Sequence, residues 1–82
     1  MPQQEKKLTA YPISSGDELN VFAGGVMTHV RIMDMQGNVL IEAECDNKKS
    51  YTLNIKHLNN DTYLAEVAFK DAHTERSIFV KL

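Results

Sequence analysis

Nowhere in the chain does an apolar repeat of 3.6 residues persist. Short runs of period-two alternation recur instead, broken by turn residues every eight to twelve positions or so. A chain so patterned has few ways to fold. Each short strand has one apolar face and cannot bury it alone, so the strands must be assembled into layers. With 82 residues there is room for one domain and one core. A chain of this size buries only about 60% of the surface its unfolded form exposes, so the core must be economical. Disulfides cannot help within the chain, because Cys45 is the single cysteine; it reads as a small buried apolar residue.

The clearest alternation is Val26–Met33, with Val26, Thr28, Val30 and Ile32 expected on one face and Met27, His29, Arg31 and Met33 on the other. Asp34–Asn38 follows as a turn containing Gly37, which tolerates positive φ. Beyond it Val39, Ile41, Ala43 and Cys45 share one face while Glu42 and Glu44 take the other, completing a β-hairpin. Tyr51, Leu53 and Ile55 mark the next strand. After the Asn59-Asn60-Asp61 turn, Tyr63, Ala65, Val67 and Phe69 mark another. A last strand ends the chain, with Ile78 and Val80 expected inward. Two weaker strands, near Leu8–Tyr11 and Glu18–Phe22, are joined by the turn-rich stretch from Pro12 to Asp17. The sum is an all-β fold: an immunoglobulin-like antiparallel β-sandwich of about seven strands. It occupies residues 8–82 behind a flexible lead-in, residues 1–7. Tyr63 enters its strand just after a corner beginning at Leu58, where a tyrosine can bury its ring and bond its hydroxyl back across the turn.

Nine Lys/Arg against eleven Asp/Glu give a formal net charge of -2, and the basic residues are dispersed. That excludes the clustered positive footprint a nucleic acid requires. No apolar run is long enough to span a membrane as a helix, and no signal-peptide core opens the chain; read as a complete protein it would be cytoplasmic. His29, His57 and His73 are too far apart in sequence for a zinc pair, and no cysteine stands beside them. Gly24-Gly25 is a lone pair at a strand entry, not a phosphate-binding loop. Glu42 and Glu44 read as the solvated side of their strand. No nucleophile sits in a strained elbow. The expectation is a protein with no enzymatic activity, no cofactor and no metal.

The order of the motifs resembles the C-terminal sorting domain of cargo proteins exported by the type IX secretion system of certain Gram-negative bacteria, the Por secretion tail. A Pro-containing turn leads into a Leu-x-Val strand, Tyr11-Pro12-Ile13-Ser14-Ser15-Gly16-Asp17-Glu18-Leu19-Asn20-Val21. Val30-Arg31-Ile32-Met33-Asp34-Met35-Gln36-Gly37-Asn38-Val39 follows, and then Leu58-Asn59-Asn60-Asp61-Thr62-Tyr63-Leu64-Ala65-Glu66-Val67. The chain closes on Arg76–Leu82, the basic and apolar strand on which such domains end. The Pro-Asn-Pro usual in the family stands as Pro12-Ile13-Ser14, and Asp61 replaces a turn glycine.

The resemblance implies a non-catalytic address, carried behind a parent cargo on its N-terminal side. The address is read by the export apparatus of the outer membrane, with passage through the periplasm to the cell surface or medium. Arg76, Lys81 and Leu82 are the residues it implies for recognition, and Pro12, Gly37, Leu58 and Tyr63 those it implies for structure. Open sheet edges leave room for weak self-association. The reading from another class is a small immunoglobulin-like binding module that grips a glycan or protein through exposed aromatics such as Tyr11, Phe22 and Phe79.

Overall fold

The computed structural model describes residues 11–82 and contains five strands: β1 Tyr11–Ser15, β2 Glu18–Met33, β3 Val39–Asn54, β4 Asp61–Phe69 and β5 Thr74–Lys81. All pairings are antiparallel: β1 with β2, β2 with both β3 and β4, and β4 with β5. Residues 1–7, expected as a lead-in, and most of the expected strand at Leu8–Tyr11 lie outside the described residues.

The expected seven strands become five because two expected breaks are continuous strand. Glu18–Phe22 and Val26–Met33 belong to one strand, β2, and the two segments on either side of residues 46–50 belong to one strand, β3. The stretch read as a turn from Pro12 is mostly strand as well. Tyr11–Ser15 pairs with β2 down to Ser15↔Glu18, leaving only Gly16-Asp17 to turn the chain. Gly16 has φ +61, the left-handed backbone that so tight a reversal needs.

The long β2–β3 ribbon has to fold over. Its ends, at the Glu18↔Asn54 and Met33↔Val39 pairs, would lie about 50 Å apart if it ran straight. Yet the chain leaves Asn54 and by Asp61 has begun β4, whose Leu64 pairs with Met33. Those few residues reach at most about 25 Å. The fold-over is built into the register. On β2, Ala23–Val26 stand opposite Lys49 alone; on β3, Cys45–Asn47 stand opposite Thr28 alone. Asp46 and Asn47 adopt φ 53 and 56, which short polar side chains tolerate. At the bend Gly25 lies against the Phe69 ring, where a Cβ would stand 3.4 Å from it, so β2 passes close to the end of β4.

The result is two layers in one continuous sheet. One layer is β1 with the first half of β2 and the last half of β3. The other is β3–β2–β4–β5, built on residues 27–33 of β2. β1 lies against β5 without pairing to it. Between the layers is one core: Leu19, Val21, Leu53 and Ile55 from the first layer, with Met27, Val30, Ile32, Cys45, Tyr63, Ala65, Val67, Phe69 and Phe79 from the bend and the second.

Two expected facings are corrected. On β2 the irregularity between Met27 and His29 shifts the parity, so Met27 is buried with Val30 and Ile32 while Val26 and Thr28 are only half-buried. On β5 the expected face is inverted. Phe79 and Lys81 turn inward, and Ile78 and Val80 turn out, 59% and 47% exposed. The cause is register: Tyr63, inward on β4, is paired with Phe79, and Leu64 with Ile78.

Candidate recognition surface

The connection from β3 to β4 is tied down by two side chains. Tyr63 buries its ring beside that of Phe79, centroids 5.7 Å apart, and its hydroxyl donates to the Asn59 carbonyl at 2.6 Å. One residue back, the Leu58 carbonyl accepts from Lys81 Nζ at 2.8 Å. Lys81 is 8% exposed. It therefore cannot be one of the displayed cations that the sequence reading made it; its stem is buried and its ammonium closes the corner. Of the other residues read as recognition elements, Arg76 and Leu82 are exposed, Leu82 at 90%. The side chain of Pro12 lies outside the described set. Phe79, offered as an exposed aromatic, is buried, whereas Phe22 is exposed.

The β2–β3 turn is organised by Asp34. Its carboxylate accepts from the backbone amides of Gln36 and Asn38 and from the Asn38 side chain, all at 2.9–3.0 Å. The Asn38 side-chain bond, then the Asn38 amide, hold its pKa below the usual carboxylate value. Gly37 sits at φ +93, open to that residue type with no neighbour to clash. Here the Asp-x-x-Gly spacing is a turn specification.

Sequence reasoning missed an ion-pair ladder across the outer face of the second layer. Glu42, Arg31, Glu66 and Arg76 stand opposite one another on β3, β2, β4 and β5. Arg31 Nε reaches Glu42 at 3.2 Å, Arg31 Nη1 reaches Glu66 at 3.3 Å, and Arg76 Nε reaches the other Glu66 oxygen at 3.1 Å. The parity of Arg31 against Glu42 across the hairpin was legible; the joining of β4 to β2, which brings Glu66 between two arginines, was not. A shallow pocket of about 140 Å³ lies along the ladder, lined by His29, Arg31, Glu42, Glu66, Ala68 and Thr74.

Elsewhere, the histidines are dispersed. His29 Nδ1 meets the Thr28 hydroxyl at 3.2 Å, His73 Nε2 meets Glu75 at 2.9 Å, and His57 is exposed. Among the described residues no cluster of His, Cys, Asp or Glu could hold a metal. The Cys45 thiol is buried, and desolvation with the nearby Asp46 charge pushes its pKa to about 11. A thiol so held is a poor nucleophile.

Fold and surface together define a small β-sandwich module whose distinguishing feature is an outer sheet face crossed by an ion-pair ladder, not a pocket with convergent chemistry. The family model described as "Secretion system C-terminal sorting domain" matches residues 9–81, and the chain belongs to that family, the sorting domains of type IX secretion. Among solved structures it is similar to CopC from Methylosinus trichosporium OB3b, with 18% identity, a TM-score of 0.51, and coverage of 89% of this chain and 82% of that one. At that identity the likeness concerns the fold alone. No curated protein matches the chain significantly.

Proposed function

We propose that the domain is a non-catalytic sorting signal that directs a cargo, carried on its N-terminal side, through the type IX export apparatus to the cell surface. The observation that carries this reading is the family match over residues 9–81. The geometry supports it in a second way. A signal needs a firm scaffold that displays an element to a receptor, and β5 is an edge strand whose outward residues Arg76, Ile78, Val80 and Leu82 run to the chain end. Of the three residues that the resemblance implies for recognition, Arg76 and Leu82 are the ones exposed to a receptor, and Lys81 serves the corner.

The test fuses residues 8–82 behind a signal peptide and a neutral reporter. The reporter should reach the outside of a cell that has the export system and stay periplasmic in one that lacks it. Arg76→Ala with removal of Leu82 should reduce export while circular dichroism shows the fold intact. If the unaltered fusion stays in the periplasm, and so does one carrying Ile13→Asn, Ser14→Pro and Asp61→Gly to restore the family pattern, the sorting reading is wrong.

A further inference from the structure

The two outer faces of the sandwich differ in kind. Outside the first layer the β2 and β3 residues are mostly polar, including Asn20 and Thr52, which share a 2.7 Å hydrogen bond; Phe22 is the exception. Outside the second layer the charge ladder is flanked, on the side toward the chain end, by an apolar row: Met33, Leu64 and Ile78, with Val39 and the bulged Leu40 at the β3 end of it and Val80 and Leu82 beyond. Met33 is 6% exposed without belonging to the inter-layer core. It is paired with outward Leu64 and has the parity of Arg31, so this row is a small apolar cluster on the outside of the sheet.

The sign order of the ladder from β3 to β5 is minus, plus, minus, plus. Rotating the sheet by half a turn about an axis along the strands, midway between β2 and β4, reverses that order. Two copies stacked face to face therefore set Glu42 over Arg76 of the second copy and Arg31 over its Glu66, with opposite signs at all four positions. The same rotation lays Met33 over Leu64 and brings the exposed bulge at Val39 and Leu40 toward Ile78. We infer that this face is a self-complementary docking surface for a second copy of the chain, with the apolar row giving affinity and the ladder setting the register.

Four strands about 4.8 Å apart over roughly nine residues of length give a footprint of about 500–600 Å², below that of a standard stable interface. The dimer is accordingly transient, populated at roughly high-micromolar concentration and above. It buries the outer face of β5 while it lasts, and it is independent of the sorting reading: its readout is association in solution, not export.

Sedimentation of the 82-residue chain should show a monomer–dimer equilibrium; a chain that is monomeric at about 1 mM overturns the inference. Leu64→Lys, on the interior strand β4, should weaken the dimer by at least about tenfold. If it leaves association unchanged, the copies join by their sheet edges and the face is not the interface. The sharper arm is the inverted ladder, Glu42→Arg, Arg31→Glu, Glu66→Arg and Arg76→Glu. Each variant chain keeps opposite neighbours within itself and remains complementary to its own copy, but it meets the original chain like on like. With circular dichroism confirming the fold, the variant should self-associate as the original does, and mixed dimers should form at least about tenfold more weakly than either homodimer. Mixing in statistical proportion overturns the inference.

Discussion

The corner between β3 and β4 offers a quantitative test of how the sandwich is closed, by the pair Tyr63→Phe and Lys81→Met. Phenylalanine at 63 keeps the ring contact with Phe79 and removes only the hydroxyl bond to Asn59. Asn59 is exposed, so water can replace the donor, and the expected loss is about 1 kcal/mol. Methionine at 81 keeps the buried stem and removes a charged donor from the Leu58 carbonyl, a loss of about 1.5–3 kcal/mol. Relief of the desolvation of a cation held at 8% exposure offsets part of it, leaving about 1 kcal/mol. The two bonds hold adjacent carbonyls of one short connection, so either alone can still pin it. The double variant should therefore lose more than the sum, by about 0.5–1 kcal/mol. In a domain of this size a total near 3 kcal/mol lowers the melting temperature by roughly 12–24 °C. Urea unfolding at constant m-value measures all four corners of the cycle. A neutral or stabilising Lys81→Met with strict additivity would refute the argument that Lys81 closes the corner.

The remaining expectations concern two ionisable groups. Cys45 should resist thiol reagents in the folded protein at pH 8 and react on unfolding, and Cys45→Ala should destabilise by about 1–3 kcal/mol; rapid labelling of the native state would contradict the inward face of β3. The Asp34 carboxyl should titrate below 3.8 by NMR and return toward that value in Asn38→Ala. Because its folded pKa is the lower one, its contribution to stability is fully present above 3.8 and disappears as pH falls through the folded value. A midpoint at or above 3.8 would dissolve the turn argument.

Four things were legible before any folding was known: the all-β class, the hairpin around Asp34 and Gly37, the inward run Tyr63, Ala65, Val67 and Phe69, and the family to which the chain belongs. The hairpin shows in a turn residue at a fixed offset, the β4 run in an unbroken apolar parity whose other side carries Thr62 and Glu66, and the family in the order of the motifs along the chain. The last strand lacks such a contrast. In Ile78-Phe79-Val80-Lys81-Leu82 nearly every position is apolar, and the lysine, which would ordinarily mark the outer face, can bury its stem. Either face could therefore turn inward, and the pairing with β4 decided it by placing Phe79 beside Tyr63. Glycines and polar residues at 24–25 and 46–47 read as breaks because turns share that composition. Only the tertiary structure shows that pairing continues through them, since a bulged ribbon and two separate strands have the same local sequence. The ion-pair ladder depends on the same non-local joining. Arg31 and Glu66 stand 35 positions apart, and no local pattern brings them together until the folded ribbon lays β4 against β2.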